Sequence, residues 1–115
     1  MHEMGIVFEL LDTLKGVMEE NNIQKINKVK LSVGEASMVV PDYLSSCWEV
    51  ASEEEKAFKG CKLEIIIEKA LGECLNCHEH FLIKENDRKC PKCGTFDQFK
   101  TIKGTELEIL EVEAD

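Results

Sequence analysis

Apolar positions near the start of the chain recur at steps of three and four: Ile6, Val7, Leu10, Leu11, Leu14, Val17 and Met18. Glu9, Asp12, Lys15 and Glu19 fall off that stripe, the pattern of a helix with one buried face. Asn21-Asn22 supplies its end. From Asn27 to Val33 the period shortens to two, with Val29, Leu31 and Val33 on one side and Lys28, Lys30 and Ser32 on the other. That alternation predicts a strand with one buried face. Residues 34–41 read as a connection, and Pro41 suits the first turn of a second helix, where its missing N–H is not needed. Leu44, Cys47, Trp48 and Ala51 share a face of that helix. A second strand follows, with Cys61, Leu63, Ile65 and Ile67 alternating against Lys62, Glu64, Ile66 and Glu68. Phe81-Leu82-Ile83 reads as a short strand, and Thr105 to Glu113 as one that returns to the first sheet. Its alternation slips, because Leu107 and Ile109 share one face while Leu110 and Val112 take the other, which predicts a β-bulge.

The elements add up to an α+β fold: two helices on a small, mainly antiparallel sheet, with a separate module inserted. Residues 1–70, completed by a return strand at 104–115, form the α+β domain, and residues 71–103 form the inserted module. A stretch of roughly 30 residues cannot bury enough apolar surface to fold alone, so something must staple it.

The staple is legible. Cys74, Cys77, Cys90 and Cys93 fall as C-x2-C-x12-C-x2-C, two tight turns that each aim two thiolates at one ion, with a spacer long enough for a hairpin. Four sulfurs in a tetrahedron suit Zn(II), and four protein ligands leave no position open for a substrate, so the zinc is structural. In Cys-Pro-Lys-Cys-Gly, Gly94 permits the tight turn that lets amide N–H groups face the sulfurs. Iron held as in a rubredoxin uses the same ligand set. A disulfide framework needs an oxidising compartment, and no secretory signal is read at the start. Cys47 and Cys61 read as small buried hydrophobes.

The formal net charge of −9 bears on partners. Ribbons that bind nucleic acid do so with a basic face. Here Lys84, Arg88, Lys89, Lys92, Lys100 and Lys103 are met by Glu73, Glu79, Glu85, Asp87 and Asp97, and a zinc tetrathiolate adds two negative charges. No nucleic-acid partner is expected. Nor is a membrane, because no run approaches the roughly 18 apolar residues of a span. A cytoplasmic protein is expected. No nucleophile with a matched base and no phosphate-cradling glycine loop occurs, so an enzyme is not expected.

The opposite end carries a second constellation. The Met1 amine, the His2 amide nitrogen and the His2 Nδ1 can chelate one ion through fused rings, with the Glu3 amide within reach. Deprotonated amides favour square-planar nickel(II) or copper(II) over zinc. The positive end of the helix macrodipole opposes a cation there, and amide deprotonation together with Glu3 offsets it.

The Met1-His2-Glu3 start, the amphipathic helix, the two-layer domain and the Cys74-x2-Cys77-x12-Cys90-Pro91-x-Cys93-Gly94 run together resemble the HypA/HybF nickel metallochaperones, over essentially the whole chain. The resemblance implies nickel, carried as cargo, at His2 with Glu3, and structural zinc at Cys74, Cys77, Cys90 and Cys93. It implies delivery of nickel during [NiFe] hydrogenase maturation, with a HypB-type GTPase and the hydrogenase large-subunit precursor as partners. Two positions depart from the family's pattern. Many relatives carry Gly directly after the second cysteine, where this chain has His78. Some complete the nickel shell with a histidine from the metal module, for which only His78 and His80 are available, both read here as solvated loop residues. The competing reading is a zinc-ribbon adaptor that binds proteins without delivering metal.

Overall fold

The computed structural model describes residues 3–115, so the expectations placed on Met1 and His2 lie outside it. Helix α1 (Glu3–Asn21) buries Val7, Leu10, Leu11, Leu14 and Met18, the stripe read from the sequence. It stops where Asn22 adopts a left-handed conformation, φ +54°, which asparagine tolerates better than most residues. The Ile23 N–H then returns to the Met18 carbonyl at 2.9 Å, closing the helix end. Strand β1 (Ile26–Gly34) buries Val29, Leu31 and Val33. Helix α2 (Pro41–Glu53) has proline in its first turn and buries Leu44, Trp48 and Ala51, with Cys47 half-buried. Trp48 donates its indole N–H to the Cys61 carbonyl at 3.0 Å and packs edge-on against Phe58, ring centroids 6.1 Å apart.

Strands β2 (Lys62–Glu68) and β6 (Leu107–Ala114) flank β1, giving the order β2-β1-β6. The β1–β6 pairing is antiparallel and the β1–β2 pairing parallel. The parallel pair follows from α2, which lies between β1 and β2 in sequence and carries the chain back across the sheet before β2 begins. The expected bulge falls at Leu110: Lys30 pairs with Glu111 and Leu31 with Ile109, so Leu110 is skipped. That extra residue resets the alternation. Leu107, Ile109 and Val112 all pack against the core, while Leu110 faces solvent.

Between β2 and β6 the chain builds a second sheet of β3 (Leu71–Cys74), β4 (His80–Leu82) and β5 (Phe99–Lys103), ordered β4-β3-β5 with both pairings antiparallel. Its separate core is small: Ala70, Cys74, Phe81, Ile83 and Cys90, with Cys77 and Phe99 against it. Phe81 and Phe99 meet edge to face at 5.9 Å. The molecule is long and narrow, 54 × 25 × 17 Å.

A tight joint links the two sheets. The Ala36 N–H donates to the Gly104 carbonyl at 2.7 Å, and the Glu35 N–H to the Glu68 carbonyl at 2.8 Å. The Glu35 carboxylate accepts the Ala70 N–H and the Glu68 carboxylate the Gly104 N–H, each at 3.1 Å. Gly34 and Gly104 cross so closely that a Cβ on Gly34 would sit 2.3 Å from the Gly104 carbonyl oxygen.

Candidate metal centres

Two knuckles bring the four cysteines together, and their backbones match. The His78 N–H returns to the Cys74 carbonyl and the Gly94 N–H to the Cys90 carbonyl, both at 2.9 Å. The residue after the second cysteine of each pair is left-handed, φ +64° at His78 and +76° at Gly94. This explains why glycine suits that position, and it shows that His78 holds a conformation disfavoured for a side chain with a Cβ.

The cysteine Sγ atoms all lie within 4.8 Å of one another, with Cys74 to Cys93 at 3.6 Å and Cys77 to Cys90 at 3.5 Å. A tetrahedron with metal–sulfur bonds of about 2.3 Å has an edge of about 3.8 Å, so this donor set fits a zinc-sized thiophilic ion. Cys74 and Cys90 are buried, Cys77 is half-buried and Cys93 exposed, so the cage opens to solvent at one corner. Hydrogen bonding to Thr95, then to Asn76, pulls the Cys93 thiol down to about 5. At Cys77 the Glu79 backbone works downward, and burial with the neighbouring sulfurs outweighs it, leaving that thiol at about 12. The sulfurs thus share their protons unevenly, and a bound cation would displace them. Among the described residues no other group of three histidine, cysteine or carboxylate ligands converges closely enough to hold a metal.

His78 and His80 face one carboxylate rather than the sulfurs. Glu73 and His80 are cross-strand partners in β3 and β4, with His80 Nε2 at 3.1 Å from Glu73 Oε1. His78 Nδ1 lies 3.5 Å from the other carboxylate oxygen. The bond to His80 is the main reason the Glu73 carboxyl sits below its usual range. Both rings are exposed, as expected, but only His78 lies in a loop, since His80 opens strand β4.

At the other end, His2 lies outside the described residues, and Glu3 opens α1. The Glu3 side chain is buried, 8 % exposed, and its Oε2 accepts the Val40 N–H at 3.2 Å, immediately before α2 begins. A carboxylate there is favoured by the positive end of the α2 dipole. The sequence pointed to Glu3 for its amide nitrogen. The anchoring role of its carboxylate depends on Val40, 37 positions away, and left no local signal.

A family model described as "Hydrogenase/urease nickel incorporation, metallochaperone, hypA" matches residues 1–114. The hydrogenase maturation factor HypA of Actinobacillus succinogenes is 30% identical over 115 residues, covering all of both chains. That of Dehalococcoides mccartyi is 34% identical, over all of this chain and 95% of the other. Among solved structures, the Ni metallochaperone HypA from Helicobacter pylori superposes with a TM-score of 0.72 at 28% identity, covering 99% of this chain and 97% of that one.

Proposed function

This chain belongs to the HypA family of hydrogenase/urease nickel-incorporation metallochaperones, and we propose that it carries Ni(II) on its N-terminus and delivers it during [NiFe] hydrogenase maturation. A family member of this kind is a maturation factor and not an enzyme. The ligands are the Met1 amine, the His2 amide and Nδ1, and the Glu3 amide. The observation that supports this most is the pinning of Glu3: with its carboxylate bonded to Val40, the third residue is fixed while its backbone stays at the chain end. A site built from terminal and backbone donors loses its ion when those nitrogens regain protons, so nickel affinity falls as pH drops. Reversible capture and release follow from the same chemistry.

In this reading Cys74, Cys77, Cys90 and Cys93 hold structural zinc. Residues 1–70 with 104–115 form the nickel-binding domain, and residues 71–103 the zinc ribbon. A HypB-type GTPase and the hydrogenase large-subunit precursor are the partners, in the cytoplasm.

The test is a nickel titration of the untagged chain by calorimetry, with the square-planar absorption band as a second readout. One equivalent is expected, lost in His2→Ala and largely retained in Glu3→Gln, whose side chain still accepts a hydrogen bond. Unchanged binding in His2→Ala would overturn the terminal site and leave a zinc-ribbon adaptor.

A further inference from the structure

α1 and α2 lie side by side on the sheet and start at the same end, since Glu3 reaches the residue that precedes α2. One flank of α1, with Ile6, Leu10 and Thr13, borders β6 residues Leu107 and Ile109. One flank of α2, with Ser45 and Glu49, borders Gly60, Lys62 and Leu63 at β2. The remaining flanks therefore face each other, and Lys15 of α1 confirms it by pairing with Glu55, just past the end of α2, at 2.6 Å.

Those facing flanks are apolar and exposed. Met4 and Phe8 lie in line with Lys15 on α1, and Tyr43, Cys47 and Val50 recur at steps of four and three on α2. Phe8 is 55 % exposed, Tyr43 64 % and Val50 59 %. Single exposed hydrophobes are ordinary, whereas a run of them along one helix–helix seam marks a docking site. From Met4 to Lys15 the seam is about 16 Å long, room for about three helical turns.

Charge selects the occupant. Asp12 and Glu19 on α1 and Glu54 at the end of α2 rim the seam, all exposed, and Lys15 on the same flank is already neutralised by Glu55. A second copy docking face to face would set these acids against themselves, and an anionic lipid surface would be repelled. We propose that the α1–α2 seam docks a basic amphipathic helix of a partner protein, its apolar face against Phe8, Tyr43 and Val50 and its cations against Asp12, Glu19 and Glu54. This surface stands whether or not nickel binds at the N-terminus.

The probe is a synthetic 14-residue leucine–lysine amphipathic helix titrated into the zinc-loaded full chain and followed by amide chemical shifts. A leucine–glutamate peptide of the same pattern serves as control. Shifts are expected along Met4, Phe8, Tyr43 and Val50, with binding that weakens as salt rises. The Phe8→Ser/Val50→Ser variant should melt as the parent does and bind about tenfold or more weakly. The proposal falls if neither peptide binds, if the glutamate peptide binds equally well, or if the double variant binds unchanged. Self-association that Phe8→Ser abolishes would also overturn it, because the occupant would then be a second copy.

Discussion

Cys61 shows how one buried group ties stability to pH. Burial behind Trp48 and Phe58 pushes its thiol from 9.0 up to about 11. An unfolded chain gives up that proton near 9, so between pH 9 and about 11 the unfolded state binds fewer protons than the folded one. Stability is fully present below that window and is lost as pH rises through it. Urea midpoints measured across the window should fall more steeply for the parent than for Cys61→Ala, and identical slopes would show that the thiol is not protected. The burial of Cys61 was legible, because it sits in phase with Leu63 and Ile65, which pack against the core; Ile67, of the same phase, is exposed near the end of β2 instead. The buried carboxylate of Glu3 was not, because an acid ahead of an apolar stripe reads as a solvated first-turn residue. His78 stood out in sequence as a departure from glycine as well as a histidine of the metal module, and its left-handed backbone gives that departure a physical meaning.

At the scale of elements, periodicity served wherever an element was long enough to repeat. The α1 stripe, the alternation of β1 and β2, and the β6 slip that became the Leu110 bulge were all visible in the order of residues. Of the second sheet, the sequence showed only the region of β4. β3 and β5 span four and five residues, too few to establish a period, and Gly72 and Lys100 interrupt the apolar positions. The parallel β1–β2 pair is likewise set by the path of α2 and not by either strand's own pattern. The small core around Phe81, Ile83 and Phe99 cannot hold those short strands together without the cysteine cage. Metal removal with a chelator is therefore expected to collapse the Phe81 and Phe99 resonances while leaving fluorescence unchanged. The single tryptophan, Trp48, reports only on the other core, so a shift in its emission would show that the two cores unfold as one.

Across the whole molecule, the joint at Gly34 and Gly104 fixes how the two sheets are placed. A Cβ at position 34 collides with backbone, which cannot swing aside as a side chain would. Gly34→Ala should cost about 1–3 kcal/mol in urea denaturation. Ala36 and Glu68 hold the same joint through backbone and carboxylate bonds, so the variant should also loosen the angle between the sheets, readable as a broader distance distribution in solution scattering. A variant as stable and as rigid as the parent would contradict the close crossing. None of this was legible from composition, because the two glycines lie 70 positions apart and each alone reads as a turn.

The return of β6 has a consequence for how the protein is made. On the ribosome α1, β1, α2 and β2 emerge first, yet they cannot complete their sheet, because its antiparallel edge is synthesised after the cysteine module. The cage can capture its ion and close while the nascent chain is still tethered. Only then does the last strand slide beside β1, so the cysteine module would be finished before the sheet that β6 completes.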